Sequence, residues 1–467
     1  MLREFDEDTI AAISTPPGEG GIGIIRLSGP RAILIADQVF RSSKKMRVKD
    51  QPAFTAQHGY ILAKNNFGQS EKVDEVLVLL MRAPKSYTCE DVVEISAHGG
   101  SAVTQAILDL LIKEGARLAA KGEFTKRAFL NGRIDLLQAE AVLDLIKAKT
   151  ELGRRWATAQ LEGVLSQAMK AMKDELVTIL SHLEASIDFP DDSIDSQSLK
   201  EMADQLNVMK ARISSLLSSS SLGFIAKNGL KVVIAGRPNV GKSSLMNRLT
   251  GMDRVIVTSF PGTTRDTVEA ETQIQGFLIR IVDTAGIQRS DHPIEKEGIE
   301  RSKAAVAESD LVLYVLDAGN PWSLDDGELL RDLADKQTIV VLNKCDLPRK
   351  LDIKLLKPWV DQERLIEISC TANIGLELLE KAIVSLIKTG NSLVYNDIIV
   401  TTVRQKDTLE KMFESIKNAG DSAKTGLSPE LVAVDVRLAL DHLGALVGEV
   451  VTDDILEVLF RQFCIGK

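Results

Sequence analysis

Residues Lys231–Thr250 read KVVIAGRPNVGKSSLMNRLT. A β-branched run is followed at once by a glycine-rich turn and then by SLMNRLT, whose apolar residues fall at helical spacing. The turn, Gly236 to Ser243, fits G-x-x-x-x-G-K-S, and strand before and helix after are the context that pattern requires. Its glycines let backbone N–H groups wrap phosphate oxygens. The Lys242 ammonium reaches the β- and γ-phosphates, and the Ser243 hydroxyl suits magnesium.

Working outward, FLIRIVD (277–283), LVLYVLD (311–317), TIVVLNK (338–344) and RLIEIS (364–369) alternate with helical patterns. This predicts βαβ units around a mostly parallel sheet over residues 226–388. Two tetrapeptides close these strands. DTAG, Asp283 to Gly286, places a carboxylate near magnesium and a glycine N–H near the γ-phosphate. NKCD includes Asn343, Lys344 and Asp346; the Asp346 carboxylate can accept from guanine N1–H and its exocyclic amine, which adenine does not offer. Three motifs in register predict a Ras-like GTPase and disfavour an ATP-using kinase. Between them SFPGTTRD offers Thr264 for magnesium, and spacing alone does not separate it from Thr263. The water-orienting Gln of many small GTPases is replaced by Ile287; Gln288, Asp291, Glu295, Glu297 and Glu300 follow, and spacing does not choose among them. Gly18, Gly20 and Gly23 also satisfy G-x-G-x-x-G, but a strand-like IIRLSG follows, so a loop allowing close approach is expected there.

Before this block, residues 1–120 alternate β-rich runs with turns and a helical stretch, Ser101 to Lys113, predicting an α+β domain. Apolar residues from Leu161 to Ile187 and from Leu199 to Leu216 recur at helical spacing, separated by DFPDDSID. SSSSLG, to Gly223, reads as a linker or a fraying helix end. After Asn391 the chain reads helical again. The simplest arrangement is a helical domain in two pieces, 121–225 and 389–467, interrupted by an inserted α/β domain.

Composition narrows the partners. The chain has 467 residues, with 57 Lys and Arg against 66 Asp and Glu, a net charge of -9. No chain-wide attraction to phosphate backbones is available, so a nucleic-acid contact must be local. Lys121 to Gln160, with eight basic and five acidic residues, is one such stretch. Cys89, Cys345, Cys370 and Cys464 form no C-x-x-C pair, which fits neither a disulfide framework nor a zinc site. The opening MLREFDEDTI has no signal-peptide pattern, no apolar run approaches a membrane span of ~20 residues, and CIGK is a poor prenylation box. A cytoplasmic location is expected.

TPPGEGGIGIIRLSG (15–29), EDVVEISAHGG (90–100), GEFTKRAFLNGRIDLLQAEAVLDLI (122–146), SIDFPDD (186–192), the nucleotide motifs and the closing FCIGK together resemble the MnmE (TrmE) family of tRNA-modification GTPases. The resemblance runs the full length. It implies a nucleotide site of Asn239, Val240, Gly241, Lys242, Ser243 and Ser244; of Thr258, Ser259, Phe260, Pro261, Gly262, Thr263 and Thr264; of Asp283, Thr284, Ala285 and Gly286; and of Asn343, Lys344 and Asp346. Ser369, Cys370 and Thr371 form its fifth motif, where relatives carry S-A. It implies Mg2+ on Ser243 and Thr264, and K+ on Asn239, Thr258, Phe260 and Thr263 in place of an arginine finger. Glu295 is then the water-orienting residue beside Lys242 in catalysis. A tetrahydrofolate derivative, the one-carbon donor, is implied at Arg26, Glu94, Arg133 and Lys467, with Cys464 nearby. The implied assembly is a homodimer through the N-terminal domains. It joins an FAD-dependent MnmG-type protein in a heterotetramer that adds an aminomethyl or carboxymethylaminomethyl group to C5 of the tRNA wobble uridine. A regulatory or ribosome-assembly G-protein shares the nucleotide motifs and is the alternative.

Overall fold

The computed structural model describes residues 8–64, 67–189, 196–251, 269–283, 304–388 and 398–467. The chain divides into two compact units, residues 1–143 with 444–467, and residues 144–443.

In the first unit, strands β1 (Ile10–Ile13), β2 (Gly23–Ser28), β3 (Phe40–Ser42), β4 (Thr55–Lys64), β5 (Ser70–Met81), β6 (Val92–Ala97) and β7 (Arg117–Leu118) form one sheet. Its order is β3-β4-β5-β6-β2-β1-β7, antiparallel except where β1 meets β7. Antiparallel strands can leave one face to water, and the sequence shows it: Val76, Val78 and Leu80 of β5 and Ile25 and Leu27 of β2 are buried at alternate positions. That face packs helices α1 (Ala32–Val39) and α2 (Ser101–Lys113), through residues including Ile33, Ile35, Ile107 and Leu111. The helical stretch expected at Ser101 to Lys113 is α2. The Gly18–Gly23 loop lies on Gly99, where a Cβ would strike the Gly20 carbonyl. Close approach is thus the use of Gly23 and Gly99, whose Cβ atoms would strike Thr104 and the Gly20 carbonyl; Gly18 serves by its left-handed φ of 135°, and Gly20 has room for a Cβ.

Helix α3 (Glu123–Leu130) and the terminal helix Asp453–Phe460 also belong to this unit, with Leu136, Leu143, Leu456, Phe460 and Phe463 sharing a core. The chain's last residues come back to β1. Lys121 and Ile465 form an antiparallel bridge, and Ser14 Oγ donates to the Gly466 carbonyl at 3.1 Å.

Helices α4 (Leu136–Lys147), α5 (Glu151–Leu161), α6 (Val164–Asp188), α7 (Ser196–Ser218) and α8 (Ser220–Asn228) precede the second sheet. A left-handed Gly163, φ 88°, separates α5 from α6. Of the two readings of the Ser-rich segment, a linker or a helix end, the second holds: α7 ends at Ser218 and α8 begins at Ser220. Ser218, Ser219 and Ser220 hydroxyls donate to carbonyls three residues back, at 2.7, 2.6 and 2.7 Å, which satisfies them locally at the break between α7 and α8. Gly223 then meets the Val400 backbone at a distance no side chain would allow.

The second sheet comprises β8 (Leu230–Ala235), β9 (Glu269–Ile274), β10 (Phe277–Asp283), β11 (Leu311–Asp317), β12 (Thr338–Asn343) and β13 (Leu365–Glu367), in the order β13-β12-β11-β8-β10-β9. Only the β9–β10 hairpin is antiparallel. Every residue of β11 and β12 is buried, because alternate side chains feed two cores: Leu313, Val315, Ile339 and Val341 on one face, Val312, Tyr314, Val340 and Leu342 on the other. Helix α9 (Lys242–Gly251) follows β8 directly; α10 (Leu324–Asp332) and α11 (Leu376–Lys388) lie later in the unit. Beyond them α12 (Val403–Lys424) packs along α7, with Leu409, Met412 and Ile416 and Leu206, Met209 and Ile213 buried, before α13 (Pro429–Val447). The fold is the expected one: an N-terminal α+β domain, a helical domain, and a P-loop domain on a mostly parallel sheet. Among the described residues no helix is long and apolar enough to cross a membrane.

Candidate nucleotide-binding site

β8 ends at Ala235 and α9 starts at Lys242, so residues 236–241 turn from a buried strand into a helix N-terminus. Two glycines are required by geometry. Gly236 has φ 140° and a Cβ there would collide with the Val315 carbonyl of β11; Gly241 has φ 101° and a Cβ would collide with Asn343 Nδ2. Asn239, φ 65°, occupies the left-handed region that Asn tolerates. The N-terminal N–H groups and dipole of α9 favour an anion at this turn. Lys242 is 5% exposed, and its Nζ donates to the Gly236 and Arg237 carbonyls at 2.7 and 2.8 Å. Its ammonium is therefore held across the turn. Ser243 and Ser244 are exposed in the first helical turn.

Asn343, buried at the end of β12, joins three motifs. Its Nδ2 donates to the Val240 carbonyl at 2.9 Å, and its Oδ1 accepts from the Cys370 N–H at 3.3 Å. Lys344 Nζ donates to the Asn239 carbonyl at 2.9 Å and to Asp317 Oδ2 at 2.7 Å. Asp317 is fixed in turn by the Gly319 N–H at 2.8 Å and Asn320 Nδ2 at 3.1 Å. Lys344 and the Gly236–Gly241 turn are one hydrogen-bonded assembly. Ser369 exchanges backbone hydrogen bonds with Ile374 at 3.0 and 3.1 Å, and its Oγ accepts from the Ala372 N–H at 3.0 Å, which shapes the fifth motif. The Cys370 side chain is buried in the sheet core, where burial pushes its thiol up, and it acts as a small hydrophobe in the place of alanine. Thr371 and Asp346 are exposed beside it.

Asp283 ends β10 opposite Ile234 of β8, so its backbone flanks the strand that feeds the turn. Thr258, Ser259, Phe260, Pro261, Gly262, Thr263, Thr264, Thr284, Ala285, Gly286, Ile287, Gln288, Asp291, Glu295, Glu297 and Glu300 lie outside the described residues. Two contributors escaped the sequence reading. Asp317 carries one signal, an acid at the carboxyl end of a parallel strand, where α/β sheets bind ligands. Asp326 carries none: it accepts from the Tyr314 hydroxyl at 3.2 Å and lies 3.7 Å from the Arg237 guanidinium of the turn.

A second constellation lies on the opposite face of the first sheet from α1 and α2, beside a smaller core of Ile10, Ala12, Ala119 and Phe124. Arg26 of β2 stands directly opposite Glu94 of β6, with Nε at 2.8 Å and Nη2 at 2.7 Å from Glu94 Oε1. The Arg26 guanidinium is 5.6 Å from the Tyr87 ring and 5.5 Å from the Phe124 ring. Arg133 lies 5.0 Å from the same Tyr87 ring and donates to the Tyr87 carbonyl at 2.8 Å. Burial pushes the Tyr87 phenol up, and its hydroxyl bonds Thr125 Oγ1 at 2.9 Å. Arg26, Glu94 and Arg133 are thus gathered around an aromatic residue that spacing did not single out. Lys467 ends the tail docked on β1, the strand beside β2; Cys464 is exposed in that tail. Among the described residues no group of acids, histidines and cysteines could hold a metal ion.

Comparison with known proteins identifies the family. Residues 9–133 match the model of the GTP-binding protein TrmE N-terminus, and residues 136–464 that of the MnmE helical domain. The tRNA modification GTPase MnmE of Thermoanaerobacter pseudethanolicus is 45% identical over 460 residues, covering 98% of this chain and 99% of that protein. The MnmE of Clostridioides difficile is 44% identical over 466 residues, covering 99% and 100%. Among solved structures, the G domain of the T. maritima FeoB iron transporter matches 33% of this chain and 97% of its own, at 31% identity and a TM-score of 0.26. With relatives matched from end to end, this chain belongs to the MnmE family of tRNA modification GTPases.

Proposed function

We propose that the protein couples GTP hydrolysis to modification at C5 of the wobble uridine of certain tRNAs. It works in the cytoplasm as a homodimer joined to an FAD-dependent MnmG-type partner, and adds an aminomethyl or carboxymethylaminomethyl group. One observation supports this over a purely regulatory G-protein: the chain carries, besides the Lys242–Asn343–Lys344 assembly, the Arg26–Glu94–Arg133 cluster around Tyr87, which a simple switch does not need.

Each site residue then has a task. The turn N–H groups and Lys242 bind the phosphates, Asp346 reads guanine, and Ser243 with Thr264 holds magnesium. Asn239, exposed and left-handed at the turn, is suited to offering oxygen to potassium together with Thr258, Phe260 and Thr263. When bound, these cations supply positive charge at the β- and γ-phosphates where negative charge develops. Glu295 orients the attacking water. In the N-terminal domain the cationic faces of Arg26 and Arg133, with Glu94 and Lys467, suit a pterin ring and glutamyl tail, and the folate supplies the one-carbon unit.

Two measurements test the reading. Mass spectrometry of tRNA nucleosides from cells lacking the protein should show unmodified wobble uridine; intact modification refutes the assignment. GTP turnover should be faster in potassium than in sodium at equal ionic strength, and equal rates remove the potassium site.

A further inference from the structure

The first unit holds another cleft, on the open side of β4. β3 pairs with β4 only through Phe40–Ser42 opposite Gly59–Ile61, and Ser43 N–H then bonds the His58 carbonyl at 3.1 Å. Beyond this point Thr55–Gln57 pair with β5 alone among the described strands. The resulting gap encloses about 410 Å3, within the range of small-ligand pockets. Met46 and Leu77 give it an apolar wall; Lys44, Gln51, Gln57 and His58 give it polar edges.

Its amides are unsatisfied. Gln57 Nε2 and Oε1 and Gln51 Oε1 are buried without hydrogen-bond partners, although Gln51 is 2% exposed and its Nε2 donates to the Thr55 and Val78 carbonyls. A buried amide with both functions unused destabilises the free protein; once turned into the cleft that Gln57 lines, its adjacent donor and acceptor match the hydrogen-bonding edge of a nucleobase. His58 is fixed by Ser43 Oγ at 2.8 Å and Glu75 Oε1 at 2.7 Å, and offers a flat ring at the rim.

The segment that supplies Lys44 to the cleft is also basic. Arg41, Lys44, Lys45, Arg47 and Lys49 fall within nine residues that contain no acid, in a chain of net charge -9. Arg47 pairs with Asp37 and Arg41 donates to the Asp37, Gln38 and Phe40 carbonyls, while Lys44, Lys45 and Lys49 are exposed. By contrast, in the basic stretch 121–160, Arg127 is buried among Asp8, Glu90 and Glu123, Arg133 lies on Tyr87, and Arg154 pairs with Glu151.

We propose that this cleft receives one unstacked nucleotide of the substrate tRNA, its base against the Gln57 amide and its flanking phosphates on Lys44, Lys45 and Lys49. The proposal rests on tRNA being the substrate. The charge favours RNA over a peptide on the open strand edge.

The test is binding of an unmodified tRNA transcript to the full-length protein across a salt series. Lys44→Ala/Lys45→Ala/Lys49→Ala should weaken binding about tenfold or more at low salt and reduce the slope of log K against log salt by about 2, three phosphates at ~0.7 each. Gln57→Met, of similar volume, should weaken binding about tenfold with the slope unchanged, yet raise the melting temperature by removing the unpaired amide. GTP turnover without tRNA should match wild type in both. Wild-type affinity and slope in both variants overturn the site. So does a change confined to the sedimentation of Gln57→Met, which marks a protein contact. Free uridine or adenosine monophosphate binding lost in Gln57→Met while tRNA binding is kept overturns it in favour of a free nucleotide. If deletion of the protein abolishes wobble modification but both variants restore it in full, this site fails and the functional reading stands; modification that survives the deletion sinks the reading itself.

Discussion

The two units build their candidate ligand sites from different material. In the second, the parallel strands β11 and β12 are wholly buried, and the site forms beyond their carboxyl ends from the backbone of a turn, locked by Asn343 and Lys344. In the first, an antiparallel sheet keeps one face for its core and uses the other for side chains, Arg26 across from Glu94, with Tyr87 and Arg133 over them. A site made of main chain depends on conformations that few residues adopt. A site made of side chains depends on charge and reach, which can be altered by degrees.

Gly241→Ala is the sharpest challenge to that contrast. It removes no charge, yet it forces a Cβ against Asn343 at φ 101°. GTP affinity should fall about 100-fold, the equivalent of strain near 3 kcal/mol, in a nucleotide titration of the purified protein. Near-normal binding would show that the turn relaxes and that main-chain rigidity is not the basis of the site. Arg26→Lys keeps the charge but loses the planar two-atom contact with Glu94 and the stacking on Tyr87. Affinity for a tetrahydrofolate should fall only about tenfold, with GTP turnover unchanged. A loss as steep as that of Gly241→Ala would erase the difference.

The smallest effect concerns acid. Burial raises the Glu123 and Asp8 carboxyls, but hydrogen bonds from Arg117 and Arg127, with the Ala120 N–H on Glu123, outweigh it and hold both below their ordinary values of 4.5 and 3.8. A lowered folded pKa contributes stability above the unfolded value and loses it as pH falls through the folded one. The first unit should therefore melt at lower temperature at pH 3 than at pH 5. Trp156, Trp322 and Trp359 all lie in the second unit, so fluorescence follows that unit while circular dichroism follows both. A dichroism melt that does not shift beyond the fluorescence melt would remove any special role for the acid–arginine network.

Legibility follows the same division. The phosphate turn could be read because strand, glycines, Lys242 and helix are contiguous, and the same contiguity made the Ser101–Lys113 helix readable. Asp317 and Tyr87 could not, since their roles come from neighbours in space: Asp317 meets Lys344 across 27 positions, and Arg26 and Arg133 reach Tyr87 from both sides of the sequence. The Ser-rich segment left linker and helix end open because composition reports solvation, whereas its hydroxyls bond carbonyls three residues back. In the MnmE-type N-terminal domain, grouping Arg26, Glu94 and Arg133 required the resemblance; no spacing rule links them.

The tail docked on β1 bears on how the molecule is made. Residues 444–467 belong to the same compact unit as residues 1–143, and 300 residues, 144–443, are synthesised in between. At ~5–20 residues per second the first unit waits about 15 to 60 s for its last pieces. During that interval β1 is without its Ser14–Gly466 and Lys121–Ile465 neighbours, and Phe460 and Phe463 are missing from the core they complete. The newborn N-terminal segment thus keeps the apolar side chains of Leu136, Ala139 and Leu143 without their Phe460 and Phe463 cover until the ribosome has delivered the tail.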